Sequence, residues 1–260
     1  MLHLIDGNNQ FRIKFEAQGS GQGIRGIVAD MQMMPVGDQV IWVWDGYNAK
    51  ARRRALYPLY KEGRNAPSDD FYRTMDLFKQ VLLHTRCISL EVPTFEADDV
   101  IAQIVKGYAG KALEIEIQSN DGDYEQLVSD TVRTTRPTKY DVPFDEVRLM
   151  KALTGDTSDK ITGIPFFGAT AFAACDKARW LEWFKNPELE IDFEEEAARL
   201  GLKQKRHREW MSCPDRRQLL RNMWEIVGFF EVPEALIREH IVVGKPDSVQ
   251  INTILQQYLL

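Results

Sequence analysis

The chain has 260 residues, 44% of them apolar and 28% charged, with six tryptophans, which supports a full core and excludes a disordered chain. Its formal net charge of −6 argues on average against a phosphate-binding surface, so any nucleic-acid contact must rest on local clusters of cations. Cys87, Cys175 and Cys213 are scattered and form no CxxC pair, and His3, His84, His207 and His240 lack metal-ligand spacing, which excludes a disulfide framework and a zinc site.

The N-terminus places Asp6 where a signal peptide would continue its apolar run, and no stretch reaches the length of a membrane helix. A soluble, cytoplasmic protein without membrane contact is expected. In chain order, apolar runs predict strands at 2–5, 40–44, 87–92 and 113–118, with helices at 24–34, 68–84 and 96–108 between them. This alternation predicts an α/β domain with a mostly parallel sheet covered by helices. The segment Gly19-Ser20-Gly21-Gln22-Gly23 has no following Gly-Lys-Ser/Thr, so it is no P-loop and reads as a flexible loop leading into a helix. From Phe144 onward the periodicity is helical, broken by the turn-rich 162–168. The predicted division is therefore a catalytic domain over 1–143 and a helical region over 144–260.

The acids fall where such sheets gather ligands, at strand ends and helix starts. Asp6 and Asp45 each follow a strand and precede a glycine, Glu96, Asp98 and Asp99 open a helix, and Asp121 and Asp123 follow the fourth strand. Singly these are turn residues or helix-dipole partners. Asp121-Gly122-Asp123 does not start an EF-hand, since Gln126 and Val132 stand where glycine and glutamate are required. Together, seven carboxylates aimed at one crevice repel one another unless cations lie among them, and an oxygen-only set favours magnesium or manganese. Asp156 and Asp159, three apart, share a face if helical, or form an N-cap and first-turn acid.

Cations occur in two blocks. Lys50, Arg52, Arg53, Arg54, Lys61 and Arg64 oppose only Glu62, with Tyr47, Tyr57 and Tyr60 interleaved, a composition that suits a nucleic-acid strand or a solvated face. Lys203, Lys205, Arg206, Arg208, Arg216, Arg217 and Arg221 oppose Glu209 and Asp215, and suit a duplex backbone or a solvated helix.

The ordered set Ile5-Asp6-Gly7, Trp44-Asp45-Gly46, Tyr60-Lys61-Glu62-Gly63-Arg64, Phe95-Glu96-Ala97-Asp98-Asp99, Asp121-Gly122-Asp123 and Gly155-Asp156-Thr157-Ser158-Asp159 closely resembles the flap endonuclease/5′–3′ exonuclease family. The resemblance runs from Leu2 to about Phe172. It implies a PIN-like domain with a helical arch, at about 47–84, and a helix–turn–helix-like hairpin for duplex DNA, at about 156–175. It further implies a first metal site of Asp6, Asp45, Glu96 and Asp98, and a second of Asp121, Asp123, Asp156 and Asp159, with Asp99 beside both. Lys61 and Arg64 match arch residues that touch the scissile phosphate, and Tyr60 one that stacks on a base. Arg53 of the same block joins them as an expected substrate contact, and Asp98, Lys61 and Arg64 are expected to be catalytic. The implied activity is hydrolysis of DNA at 5′ ends, flaps, nicks or gaps with two Mg2+ or Mn2+ ions, in replication and repair.

The chain departs from the family's pattern at Phe166, where a glycine is usual, and in lacking the lysine that follows; potassium binding by the hairpin is therefore doubtful. Three rivals compete. A haloacid-dehalogenase-type phosphatase needs a second aspartate where Asn8 stands. A binding protein with a decayed site would be expected to have lost second-site acids, which are present. PIN-type ribonucleases are shorter and lack the hairpin.

Overall fold

In the computed structural model, which describes residues 1–258, β1 (Leu2–Asp6) lies inside a six-stranded sheet of order β5-β4-β1-β2-β3-β6. Its neighbours are β2 (Gln39–Asp45) and β4 (Ile115–Gln118), both parallel to it, with Leu4 opposite Ile41 and Ile117. β3 (Ile88–Val92) extends the sheet beyond β2 and β5 (Val132–Thr134) beyond β4, both parallel. β6 (Ile241–Val243) pairs antiparallel with β3. Leu2 and Leu4 are buried on one face and Ile5 on the other, which is why β1 reads as a continuous apolar run rather than an alternation.

The chain runs from β1 to β2 and β3, then returns to place β4 on the other side of β1. The order reverses at β1/β4, so the crevice beyond their carboxyl ends is the topological switch point where α/β sheets bind ligands. Helices α1 (Gly7–Gln18), α2 (Ser20–Met33), α4 (Asp69–Leu82) and α5 (Ala97–Tyr108) follow the first three strands, with the short α3 (Ala51–Leu56) between β2 and α4. The glycine-rich segment is the first turn of α2 rather than a loop; the helix breaks only at Gly19, with φ +74°.

Two glycines are fixed by crowding. A Cβ on Gly7 would meet the Trp44 ring at 2.6 Å, and one on Gly46 would meet the Val92 carbonyl oxygen at 1.9 Å. The Asp-Gly pairs ending β1 and β2 thus mark close approach rather than the turns their composition suggests. Helix α4 buries Phe71, Met75, Phe78 and Leu82 from a stripe of helical spacing and is capped by Ser68, whose Oγ accepts from Phe71 N at 3.1 Å. Phe78 packs edge-on to Trp42 at 4.9 Å.

The chain forms two compact units: Met1–Ala49, Asn65–Lys139 and Glu231–Leu260 in one, Lys50–Arg64 and Tyr140–Phe230 in the other. The sequence division at 143/144 lies near the crossing at 139/140 but gave Lys50–Arg64 to the sheet domain and the C-terminal segment to the helical region. The expected arch is divided in the same way. Its first part packs Tyr57 and Tyr60 into the second unit's core, while the apolar stripe of α4 holds that helix in the first. At the C-terminal end, β6 adds to the sheet and α12 (Ser248–Tyr258) buries Leu255.

The second unit contains α6 (Val147–Thr154), α7 (Ala169–Ala174), α8 (Lys177–Lys185), α9 (Lys205–Met211) and α10 (Pro214–Ile226). Trp180, Trp183, Phe184, Phe193 and Trp224 form its aromatic centre, with Phe184 stacked on Trp224 at 4.7 Å. Between β6 and α10 lies α11 (Glu234–Glu239), part of the first unit.

Candidate active site

Asp6 ends β1 and caps α1. Its Oδ1 accepts from Asn9 N at 3.1 Å, and its Oδ2 accepts from Ser119 Oγ at 2.9 Å and Tyr124 OH at 3.2 Å. Burial, then the negative charge of Asp45, push its carboxyl up to about 7; Asp121 adds to the rise, and the Asn9 and Ser119 hydrogen bonds oppose it. Asp45 ends β2, where its Oδ1 accepts from Ala97 N, the first residue of α5, at 2.9 Å. Asp121 follows β4 and its Oδ1 accepts from Asp123 N at 3.0 Å.

Asp98 and Asp99 lie in the first turn of α5, where the helix dipole favours acids. Asp98 Oδ1 accepts from Asp99 N at 2.7 Å, and buried Asp99 accepts from Glu96 N at 3.3 Å through Oδ2, as a capping residue does. Glu96, also buried, is the N-cap residue. Tyr124 ties the set together. Burial drives its phenol well above the usual range, and the charges of Asp6, Asp98, Asp121 and Asp45 all push the same way. Four of the expected acids, from four separate segments, therefore act on one buried hydroxyl.

Sequence reasoning missed the residues that hold these strand ends in register. Asn8 Oδ1 accepts from Asp45 N at 2.9 Å, and Asn9 Oδ1 accepts from Asn120 N at 2.9 Å, so adjacent asparagines after β1 bind the ends of β2 and β4. The Asn-Asn pair after Asp-Gly was the available signal. Ser119 and Tyr124 were missed for the same reason: neutral hydroxyls leave no charge pattern.

In the second unit, Asp156 Oδ2 lies 2.8 Å from Nζ of Lys151, which is 1% exposed, and Asp156 Oδ1 accepts from Ser158 N at 2.8 Å. Burial alone would raise this carboxyl, but Lys151 and Ser158 hold it at about 2. Asp159 Oδ1 accepts from Arg64 Nη2 at 2.5 Å, Arg64 also donates to the Ser158 carbonyl at 2.8 Å, and Lys61 N donates to the Asp159 carbonyl at 3.1 Å. The sequence thus brings Lys61, Arg64 and Asp159 together, with both acids engaged by cations of their own unit. Lys61 sits at φ +52° with Nζ 4.8 Å from the Tyr60 ring centre.

Two expected substrate contacts are corrected. Arg53 is 1% exposed and donates to the carbonyls of Ile226 and Gly228, each at 3.1 Å, satisfying groups left open at the end of α10. Tyr60 is likewise buried in the second unit's core, so its ring is unable to stack on a base. The second basic block is spent in part in the same way. Arg217 donates to the Met211 and Ser212 carbonyls, Arg221 to those of Trp183 and Asn186, and Arg208 to those of Leu202 and Lys203, while Lys203, Lys205, Arg206 and Arg216 are exposed.

The donor set of the first unit fits a hard divalent cation. It is all oxygen, and the burial and carboxylate repulsion that together lift Asp6 to about 7 are what such an ion offsets. Among the described residues, no three acids, histidines or cysteines stand at ligand spacing, so these carboxylates approach one another without forming a closed cage. No helix of the described residues is long and apolar enough to cross a membrane.

The chain is 35% identical over 143 residues to the thermostable DNA polymerase I of Thermus aquaticus, covering 51% of this chain and 17% of that protein. It is 32% identical over 133 residues to a 5′-3′ exonuclease of Aquifex aeolicus, covering 46% of each. The chain therefore spans less than half the length of these relatives. Among solved structures, the T5 D15 protein co-crystallized with metal ions shares the fold at a TM-score of 0.61 and 19% identity, over 99% of this chain and 98% of that one. The catalytic core of Rad2 in complex with DNA substrate does so at 0.58 and 15%, over 99% and 86%. The family model described as the 5'-3' exonuclease N-terminal, resolvase-like domain matches residues 1–153, the part that holds β1 to β5 and the acids around Tyr124, and the chain belongs to that family.

Proposed function

We propose that this protein is a metal-dependent 5′-nuclease, active in the cytoplasm, that hydrolyses DNA phosphodiesters at 5′ ends or 5′ flaps and leaves 5′-phosphate products. The observation that carries this reading is the convergence of Asp6, Asp45, Asp98 and Asp121 on Tyr124 at the switch point of the sheet. Two Mg2+ or Mn2+ ions would be held by Asp6, Asp45, Glu96 and Asp98 on one side and Asp121 and Asp123 on the other. Bound there, such ions supply a nucleophile near neutral pH and offset charge building on the phosphoryl oxygens.

The chain's own residues do the rest. Asp6 gives up its proton to become a ligand, and the Ser119 and Tyr124 hydroxyls orient its Oδ2. Asn8 and Asn9 fix the strand ends that carry Asp45 and the Asn120–Asp121 turn. Lys61 and Arg64 contact a substrate phosphate, for which Arg64 exchanges the Asp159 carboxylate. Asp156 and Asp159 are left out of the ligand set, since ligation first requires release from Lys151 and Arg64. The test is an assay of end-labelled 5′-flap, nicked and blunt duplexes with and without magnesium, read for product lengths. Failure to cut any of them at any metal concentration would refute the reading.

A second reading, a catalytically weak DNA-binding protein of the same fold, draws on the spacing of the carboxylates, which form no closed cage. It predicts binding of the same substrates without metal-dependent cutting.

A further inference from the structure

The turn at 164–167 carries a residue that folding alone does not favour. Phe167 N donates to the Ile164 carbonyl at 3.0 Å, closing a four-residue turn with Pro165 second and Phe166 third. Phe166 has φ +66°, the conformation that a type II turn requires at its third position and that glycine normally supplies. A phenylalanine there strains the backbone, and the ring is not compensated by burial, since Phe166 is 68% exposed. Its neighbour Phe167 has taken the interior position, edge-on to Trp180 at 6.4 Å and tilted against His207 at 5.6 Å. The Arg206 guanidinium lies over the outward ring, its carbon 3.4 Å from the ring centre.

A lone exposed apolar side chain needs no explanation. A strained one stacked under a guanidinium does. Arg206 follows exposed Lys203 and Lys205 at the start of α9, so the ring sits beside cations not spent on helix carbonyls. Stacking leaves the edge of a guanidinium able to donate to a phosphate while the ring offers an apolar face to the adjoining sugar. We propose that Phe166 and Arg206 form a two-part contact for the sugar–phosphate backbone of duplex DNA, the ring on the deoxyribose and the guanidinium on the next phosphate. The inference rests on the nuclease reading above for the identity of the ligand. At Phe166, where the sequence departs from the glycine usual in the family, the backbone keeps the glycine-type conformation while the side chain is exposed.

The test is a binding titration of 5′-flap duplex in calcium, alongside magnesium-dependent cutting by the unmodified protein. Phe166→Ala keeps the strained backbone and removes the ring, and is expected to weaken binding about five- to tenfold. Arg206→Ala is expected to do as much and to flatten the log–log salt dependence by about 0.9. The double variant should lose less than the product of the two, because the groups act as one contact. Phe166→Gly should also weaken binding while raising the melting temperature by about 2–4 °C, as relief of strain in a domain of this size would. Val36→Ala, an exposed apolar residue in the first unit, should change neither property. Unchanged affinity in both Phe166→Ala and Arg206→Ala, with the unmodified protein still cutting flaps, overturns this inference alone. An unmodified protein that neither binds nor cuts overturns the nuclease reading instead.

Discussion

The Tyr124 hydroxyl donates to Oδ2 of Asp6 at 3.2 Å, across 118 residues of chain. A buried phenol thereby faces a carboxylate that burial and Asp45 keep protonated up to about 7. Tyr124→Phe removes a donor to the charged form of Asp6 and leaves the ring's packing intact. A hydrogen bond to a charged group contributes about 1.5–3 kcal/mol, so divalent-metal affinity at neutral pH should fall about tenfold or more. A manganese titration of both proteins measures this. Equal affinities would remove Tyr124 from the site.

Asp45→Asn keeps an oxygen that accepts from Ala97 N while deleting the charge that most raises Asp6 after burial. The fold should be as stable as the parent or slightly more so, since a repulsion has gone. Cleavage should fall at least about a hundredfold, roughly 2.7 kcal/mol of barrier. Melting curves and single-turnover rates on a flap substrate read the two halves separately, and a retained rate would show that Asp45 only accepts from Ala97 N at the start of α5.

Lys61→Ala should slow cleavage at least about tenfold, or about 1.4 kcal/mol, at saturating substrate. Should KM rise with kcat unchanged, Lys61 is a tether and not a catalytic cation.

The Lys151–Asp156 pair sets an acid limit on stability. The folded carboxyl titrates at about 2 against an ordinary value of 3.8, so its contribution is present in full above about 3.8 and is lost as pH falls through about 2. The shift corresponds to about 2 kcal/mol. In Asp156→Asn, denaturant midpoints should therefore lose much of their slope between pH 4 and 2. At pH 7 the variant should be less stable, because Lys151 is left buried without its counter-charge. A parent and variant with parallel pH profiles would rule out the linkage.

What the sequence discloses here depends on whether side chains announce their direction. The runs behind β1 to β4 and the amphipathic stripe of α4 are spaced by burial, so their elements could be placed within about two residues. β5 and β6 have three residues each, too few to show a period, and α1 opens with Gly-Asn-Asn-Gln, which reads as a turn. The acids around Tyr124 were legible because strand ends point one way. Arg53, Arg217 and Arg221 were not, because a cation that closes open carbonyls of a helix looks in sequence like one that waits for a phosphate. Tyr60 failed in the same sense, since an aromatic among arginines carries no mark of which way it faces.

β6 pairs Ile241 with Leu90 and Val243 with Ile88. The flank of the sheet that carries Asp45 therefore stays open until some 150 later residues have left the ribosome. Contacts so distant along the chain are slow to form, and an unpaired strand edge meanwhile invites other chains. A nascent chain halted before Ile241 would hold every acid around Tyr124 on a sheet whose β3 edge is unprotected, so assembly of the site and protection of its scaffold are separated in time by the synthesis of the second unit's Tyr140–Phe230.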